Sequence, residues 1–237
     1  MPRKQPFPRR IATAARWPVG VTLTSWRYMW RITPLHRYEE VGSWPDDAPP
    51  ALPDLARGRD VQTVGDGVGP LFRRRYSVRV ADPVIDAREI IARLQEDPDR
   101  AAPTEFATFK KLAGETGRMS VGDEYVVRMP GPWDGPVLVV QATPQSFRFA
   151  TLDGHLEAGQ IDFSASDGEG FEFKIESWAR AGDRLSNVLY HRLRMSKEIQ
   201  LHMWTSFLER VVDISGGRRQ GGLRIHTRRV EHVPLDA

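Results

Sequence analysis

Three polar residues interrupt an otherwise apolar helical stripe near the C-terminus of this 237-residue chain. Arg192, Ser196 and Gln200 are spaced four apart, so at 100° per residue they share one helix face. Leu185, Val188, Leu189, Leu193, Ile199, Met203, Phe207 and Val211 recur around them with helical periodicity. An arginine inside such a stripe needs a carboxylate partner, a path to water or an anionic group to hold. The chemistry on offer is the anchoring of a polar headgroup, such as a carboxylate, on an otherwise apolar ligand. A salt bridge to a sheet residue meets the same need, and the sequence leaves both readings open.

Other chemistry-bearing residues are sparser. His155 and Glu157 are close enough in a turn region to act as an acid/base pair, or to be ordinary loop polars. The six histidines, His36, His155, His191, His202, His226 and His232, form neither HxH nor HExxH spacing, so no metal site is expected. There is no cysteine and no GxSxG, which excludes thiolate metal sites, disulfides and those nucleophile patterns. Gly65-Asp-Gly-Val-Gly69 precedes a strand rather than a helix, so it offers no helix N-terminus to a phosphate. No catalytic residue and no cofactor is assigned.

The elements that must position these residues follow from periodicity. Phe72, Arg74, Tyr76, Val78 and Val80 alternate with Arg73, Arg75, Ser77 and Arg79, as in a half-buried strand with a basic outer face. Asp82-Pro83 opens a helix with Ile85, Ile90, Ile91 and Leu94 as its apolar stripe, closed by Asp97-Pro98. Six strand candidates follow: 106–112, 124–129, 137–142, 147–151, 159–165 and 171–176. Tight-turn signals recur between them, including Gly131-Pro-Trp-Asp-Gly135 and Asp167-Gly-Glu-Gly170, so they read as an antiparallel meander. A helix over about 183–212 closes the unit, and Gly216-Gly217 ends it. Tyr76, Tyr125, Met129, Phe147, Phe149, Phe163, Phe171 and Phe173 point to one sheet face, as a packed core or as the lining of a cavity.

Composition is that of an ordinary globular chain, with 40% apolar and 27% charged residues. No stretch approaches the roughly 20 apolar residues of a membrane span, and the N-terminus lacks the apolar core of a signal peptide. The net charge of +3 conceals an asymmetry: residues 1–37 carry +8, residues 218–237 carry +3 and the middle carries −8. The basic start contains Trp26, Met29 and Trp30 at helical spacing with Arg27 and Arg31 interleaved. That suits either an arm packed on the domain or contact with an anionic membrane surface. Residues 43–60 read as a Pro/Asp-rich linker or surface loop, and the tail after Gly217 as one further short strand or loose chain. The central domain is acidic and lacks a basic aromatic platform, so no nucleic-acid partner is expected.

The order strand, helix, six strands, long helix resembles the helix-grip fold of the SRPBCC superfamily, which includes START-type lipid-transfer domains, Bet v 1-like proteins and polyketide cyclases. Gly154-His-Leu-Glu-Ala-Gly-Gln-Ile-Asp-Phe163 resembles a strand segment of a bacterial and plant branch catalogued as domain of unknown function nineteen-ninety. Gly131-Pro-Trp-Asp-Gly135, Ser146-Phe-Arg-Phe-Ala-Thr151 and Ser177-Trp-Ala-Arg180 add to that likeness, which spans about residues 60–215. Trp17-Pro-Val-Gly20 through Arg37 is similar to an N-terminal extension of some members. What the superfamily implies is a hydrophobic ligand held between sheet and helix.

The expected architecture is therefore α+β: a curved antiparallel seven-stranded sheet wrapped around a long C-terminal helix, with a short helical insert after strand 1. Residues 1–60 form a basic, Trp-rich arm and linker, 61–217 the helix-grip domain and 218–237 a basic tail. The expected function is binding or carriage of a lipid, isoprenoid or polyketide-like molecule by a cytoplasmic protein, with residues 1–37 available to an anionic membrane. Its expected contacts are Tyr76, Tyr125, Met129, Phe147, Phe149, Phe163, Phe173, Arg192, Ser196, Ile199, Gln200 and Met203. A cyclase or dehydratase using Tyr125, His155 or Glu157 in the same cavity is the alternative, and a structural or interaction domain with a filled core is the third reading.

Overall fold

A computed structural model describes residues 35–104, 107–128, 134–182 and 195–234, without the side chains of 195–199. Its strands are β1 (Leu35–Val41), β2 (Val68–Ala81), β3 (Thr108–Ala113), β4 (Glu124–Arg128), β5 (Asp134–Thr143), β6 (Ser146–Thr151), β7 (Glu157–Gly168), β8 (Gly170–Ala181) and β9 (Arg218–Val230). The α-helices are α1 (Trp44–Asp47), α2 (Ala87–Glu96) and α3 (Met195–Ser215). The expected α+β order is present, with a short helix after β2 and a long helix late in the chain.

The sheet has nine strands rather than seven, in the order β1-β9-β2-β8-β7-β6-β5-β4-β3. The two additional strands come from segments read as arm and tail. β9 pairs antiparallel with β2 from Leu71–Val230 to Ala81–Arg218, and β1 pairs parallel with β9 from Leu35–Leu223 to Val41–Arg229. Residues 218–230 are thus an interior strand. Its sequence left a short strand and loose chain as alternatives, because its outward positions include Arg224, His226 and Arg228 while only Leu223 and Ile225 are buried inward anchors. The meander β3 to β8 is antiparallel throughout.

The hairpin β7–β8 turns tightly at Gly168–Gly170. Gly170 has φ +81°, and a Cβ there would lie 1.8 Å from the Val80 carbonyl oxygen, so the close approach of β2 excludes a side chain. Register fixes the faces. Tyr76 pairs with Ile175, Ile175 with Phe163 and Phe163 with Phe147, placing four buried side chains in one row across β2, β8, β7 and β6.

Helices cover this inner face. α2 starts at Ala87, later than the Asp82-Pro83 signal suggested, because the Asp86 side chain accepts the Glu89 amide hydrogen at 2.8 Å. Its buried residues Ala87, Ile90, Ile91 and Leu94 join the main core. α3 packs on β2, β8 and β9 through Trp204, Phe207, Leu208 and Val211. It runs to Ser215, past the expected stop at 212; the expected first turns, 183–194, lie outside the described residues. The expected helix near Trp26 and Trp30 lies outside them too.

The outer face is covered in part by residues 43–66. The Pro50 and Ala51 carbonyls accept hydrogen bonds from Gln160 Nε2 at 2.9 Å and Arg148 at 3.4 Å. Ala56 and Leu52 pack on Leu138, Val140, Ala150 and Leu152 in a second core. The Pro/Asp-rich segment is therefore a strap on the sheet as far as its apolar residues reach. Proline supplies the extended backbone and leaves carbonyls free to accept from sheet side chains.

Candidate ligand-binding face

The inward side chains of the meander form an aromatic array. Phe163 stacks on Phe147 with centroids 4.7 Å apart, and Phe149 meets Phe163 edge-on at 6.2 Å. Phe109 stacks on Phe149 at 6.0 Å, and Tyr125 approaches its edge at 5.8 Å. From α3, Phe207 reaches Phe163 at 5.4 Å and Trp204 reaches it at 5.6 Å. Phe173 stacks on Phe207 at 6.1 Å, and Met203 is buried in the same core. Around Phe163 the space between sheet and helix is therefore filled by direct ring packing.

One row along β2 the same face becomes polar. Arg74 points inward, 5% exposed, with its guanidinium 4.6 Å above the Phe72 ring. Its Nη1 donates to Gln200 Oε1 at 3.2 Å, and Gln200 Nε2 donates to Glu157 Oε1 at 2.6 Å. Gln200 thus joins β2 to β7 across β8 from the start of the described side chains of α3. A cation, an amide and a carboxylate meet where the helix leaves the aromatic core.

Beside Glu157, His155 is held by the backbone. Its Nδ1 lies 2.9 Å from the Glu157 amide nitrogen and 3.0 Å from the Glu157 carbonyl oxygen, so the backbone of Glu157 engages this ring nitrogen in either tautomer. Burial lowers the imidazole pKa, against the raising effects of the Glu157 charge and its backbone contact. Nε2 lies next to Gly135, where a Cβ would come within 2.9 Å of it. On β4, burial raises the Tyr125 phenol pKa, while the Lys111 ammonium 5.5 Å from the ring centre opposes the shift. Tyr125 and Glu157 sit on strands separated by β5 and β6.

The expected site residues fall into three sets. Tyr76, Tyr125, Phe147, Phe149, Phe163 and Phe173 share the buried inner face, and Gln200 and Met203 approach it from α3. Ser196 and Ile199 lie in α3, where their side chains are not described. Met129 and Arg192 lie outside the described residues. Arg74 and Glu157 were absent from the expected contacts. The signal for Arg74 was present, since strand alternation places it on the face of Tyr76. Among the described residues no group of three or more His, Asp or Glu could hold a metal, and no helix is long and apolar enough to cross a membrane.

No family model and no curated protein matches the chain, so the likeness to the nineteen-ninety branch rests on the quoted residues alone. Among solved structures, the chain is similar to the di-domain ARO/CYC StfQ of the steffimycin biosynthetic pathway, at 11% identity and TM-score 0.47, covering 65% of this chain and 52% of that one. It is similar to the KanY protein at 11% identity and TM-score 0.42, over 64% of this chain and 99% of that one. A Thalictrum norcoclaurine synthase point mutant, in complex with a transition-state analogue, overlaps at 12% identity and TM-score 0.43, over 62% and 98%. These overlaps are partial, covering 62% to 65% of this chain.

Proposed function

We propose that the chain binds an apolar small molecule, such as a lipid, isoprenoid or polyketide-like compound, between the inner face of the sheet and α3. Arg74 and Gln200 address its polar end. The observation that carries this reading is the Arg74–Gln200–Glu157 row at the border of an aromatic face. Pure packing rewards apolar residues there, because burying a guanidinium costs free energy that only good partners offset. A ligand with a hydrogen-bond acceptor at one end gives the row a use. Native mass spectrometry of protein purified from its own host tests the reading. A co-purified apolar compound that is lost in Arg74→Met supports it. No compound in either protein, and no binding from a panel of acidic lipids, overturns it.

A second reading, a cyclase- or dehydratase-type enzyme, draws on Glu157 and His155 beside that row. Against it, Nδ1 of His155 is engaged by the Glu157 backbone and Nε2 faces Gly135. An enzyme would lose turnover but keep ligand affinity in Glu157→Gln, whereas a carrier has no turnover to lose. The packing around Phe163 supports a third reading, an interaction module with a filled core, to the extent that the face binds nothing. Location in the cytoplasm with peripheral membrane contact is part of the proposal and rests on the basic residues of 1–37. Since β1 starts at Leu35, the deletion that tests membrane contact by liposome flotation is 1–34.

A further inference from the structure

On the outer face of the sheet, opposite α2 and α3, seven charged groups form an open chain. Arg75 Nη2 lies 3.1 Å from Glu176 Oε1, and Arg73 Nε donates to the same oxygen at 2.7 Å. Arg73 Nη1 and Arg228 Nη1 each lie 3.1 Å from Asp47 Oδ1. Arg228 Nε and His226 Nε2 each lie 2.9 Å from Glu40 Oε1. Arginines and a histidine alternate with carboxylates, and every carboxylate serves two of them. Both ends of the chain are therefore nitrogen-bearing side chains: Arg75 at one, His226 at the other.

Sheet register brings these two ends together. Arg75 and His226 are direct cross-strand partners on β2 and β9. An anion seated between them meets nitrogen groups from both strands. A cleft of about 220 Å³ opens there, lined by Arg73, Arg75, Glu176, His226 and Arg228. Glu176, the carboxylate in this lining, is already engaged by Arg73 and Arg75. The next outward row adds Arg224 and Lys174.

We propose that this cleft binds a phosphate-type oxyanion, which supplies the eighth member and closes the ring of alternating charge. Arg75 offers a planar fork of donors suited to such a group, and His226 offers a donor from the facing strand. The side chains of Arg75 and His226 are 43% and 39% exposed, so their donors are reachable from solvent. Asp47, 0% exposed, holds Arg73 and Arg228 in place beneath them. The site lies on the other side of the sheet from the aromatic face and does not depend on a ligand there. The oxyanion can belong to a soluble phosphate compound or to a lipid headgroup.

Isothermal titration of the full chain with sodium phosphate, at constant ionic strength, tests the proposal. Wild type is expected to bind saturably, and Arg75→Gln and His226→Gln to bind at least tenfold more weakly. Arg79→Gln, outward on the same strand two rows away, is expected to bind like wild type. Circular dichroism checks that each variant is folded. Phosphatidylcholine vesicles with and without phosphatidic acid distinguish the sources. Binding to the phosphatidic acid vesicles that Arg75→Gln abolishes assigns a lipid headgroup, and binding of free phosphate alone assigns a soluble compound. If wild type binds neither probe saturably, or if both Arg75→Gln and His226→Gln bind as well as wild type, the proposal is overturned.

Discussion

Asp162 on β7 and Glu176 on β8 are direct cross-strand partners, so two carboxylates stand side by side on the outer face of the sheet. Glu176 is held by Arg73 and Arg75, whereas Asp162 faces Arg148 on β6. Burial pushes the Asp162 pKa up to about 6, the Arg148 charge and a Ser164 hydrogen bond oppose the rise, and Glu176 adds to it.

This has a consequence for stability against pH. The folded-state pKa lies above the ordinary aspartate value of 3.8, so the fold binds the Asp162 proton more tightly than the unfolded chain does. That contribution is fully present below about pH 4 and is lost as pH rises through about 6, amounting to up to about 3 kcal/mol. Asp162→Asn has no such loss. Urea unfolding at pH 4 and pH 7.5 is expected to show the variant gaining on wild type as pH rises. A difference that stays constant or falls with pH contradicts the assignment.

Asp47 is the point at which the strap is fastened to the sheet. Its carboxylate receives the Ser43 amide at 2.9 Å as well as Arg73 and Arg228. Asp47→Ala leaves two half-buried guanidiniums without that shared anion. Removing one side of a buried ion pair costs about 3 kcal/mol or more, and chemical denaturation measures it. A loss under about 1 kcal/mol indicates that the strap is held by its apolar contacts instead.

Phe207 is the ring through which α3 meets both Phe163 and Phe173. Phe207→Ala is expected to cost about 3 to 5 kcal/mol, the range for emptying a well-packed aromatic site. Phe207→Leu, which keeps most of the volume, is expected to cost less. Equal losses from the two variants identify ring stacking, rather than filled volume, as the source of the stability.

Gly159 on β7 has φ +149°, and a Cβ there would lie 1.9 Å from the Trp178 carbonyl oxygen of β8. Gly159→Ala therefore has to separate the two strands next to Glu157. The expected outcome is a thermal midpoint lowered by several degrees, with weakened binding of whatever compound the Arg74 row holds, since the Glu157–Gln200 bond shifts with the strand. An unchanged midpoint shows that the strand relaxes locally.

Much of the fold was legible because it follows alternation and turn chemistry. The period of two from Phe72 to Val80, and the turns at Asp153-Gly154 and Gly168–Gly170, set the inner face in advance, while residues 131–133 of the expected turn after β4 lie outside the described residues. What stayed hidden, as with β1, or open, as with β9, follows from the same rule. β1 is polar and exposed beyond Leu35, and β9 spends its outward positions on Arg224, His226 and Arg228, so neither carries the apolar run by which a strand is recognised. The outer-face ion network was hidden for a different reason. Asp47, Glu176 and Arg228 are far apart in sequence, and only strand order brings them together. The polar row of the inner face was half visible. Helical spacing marked Gln200 and strand alternation marked Arg74, but their meeting depends on where α3 crosses the sheet.

The pairing of β1 with β9 also orders events in folding. Among the described residues β1 has no other strand neighbour, and its partner residues lie almost the whole described chain away. Docking β1 closes that very large loop, and the entropic cost of closure favours docking after β9 has paired with β2. The outermost strand should then be the last to gain, and the first to lose, protection in amide hydrogen exchange. Each time it lifts away, the backbone edge of β9 is uncovered as a template for another chain.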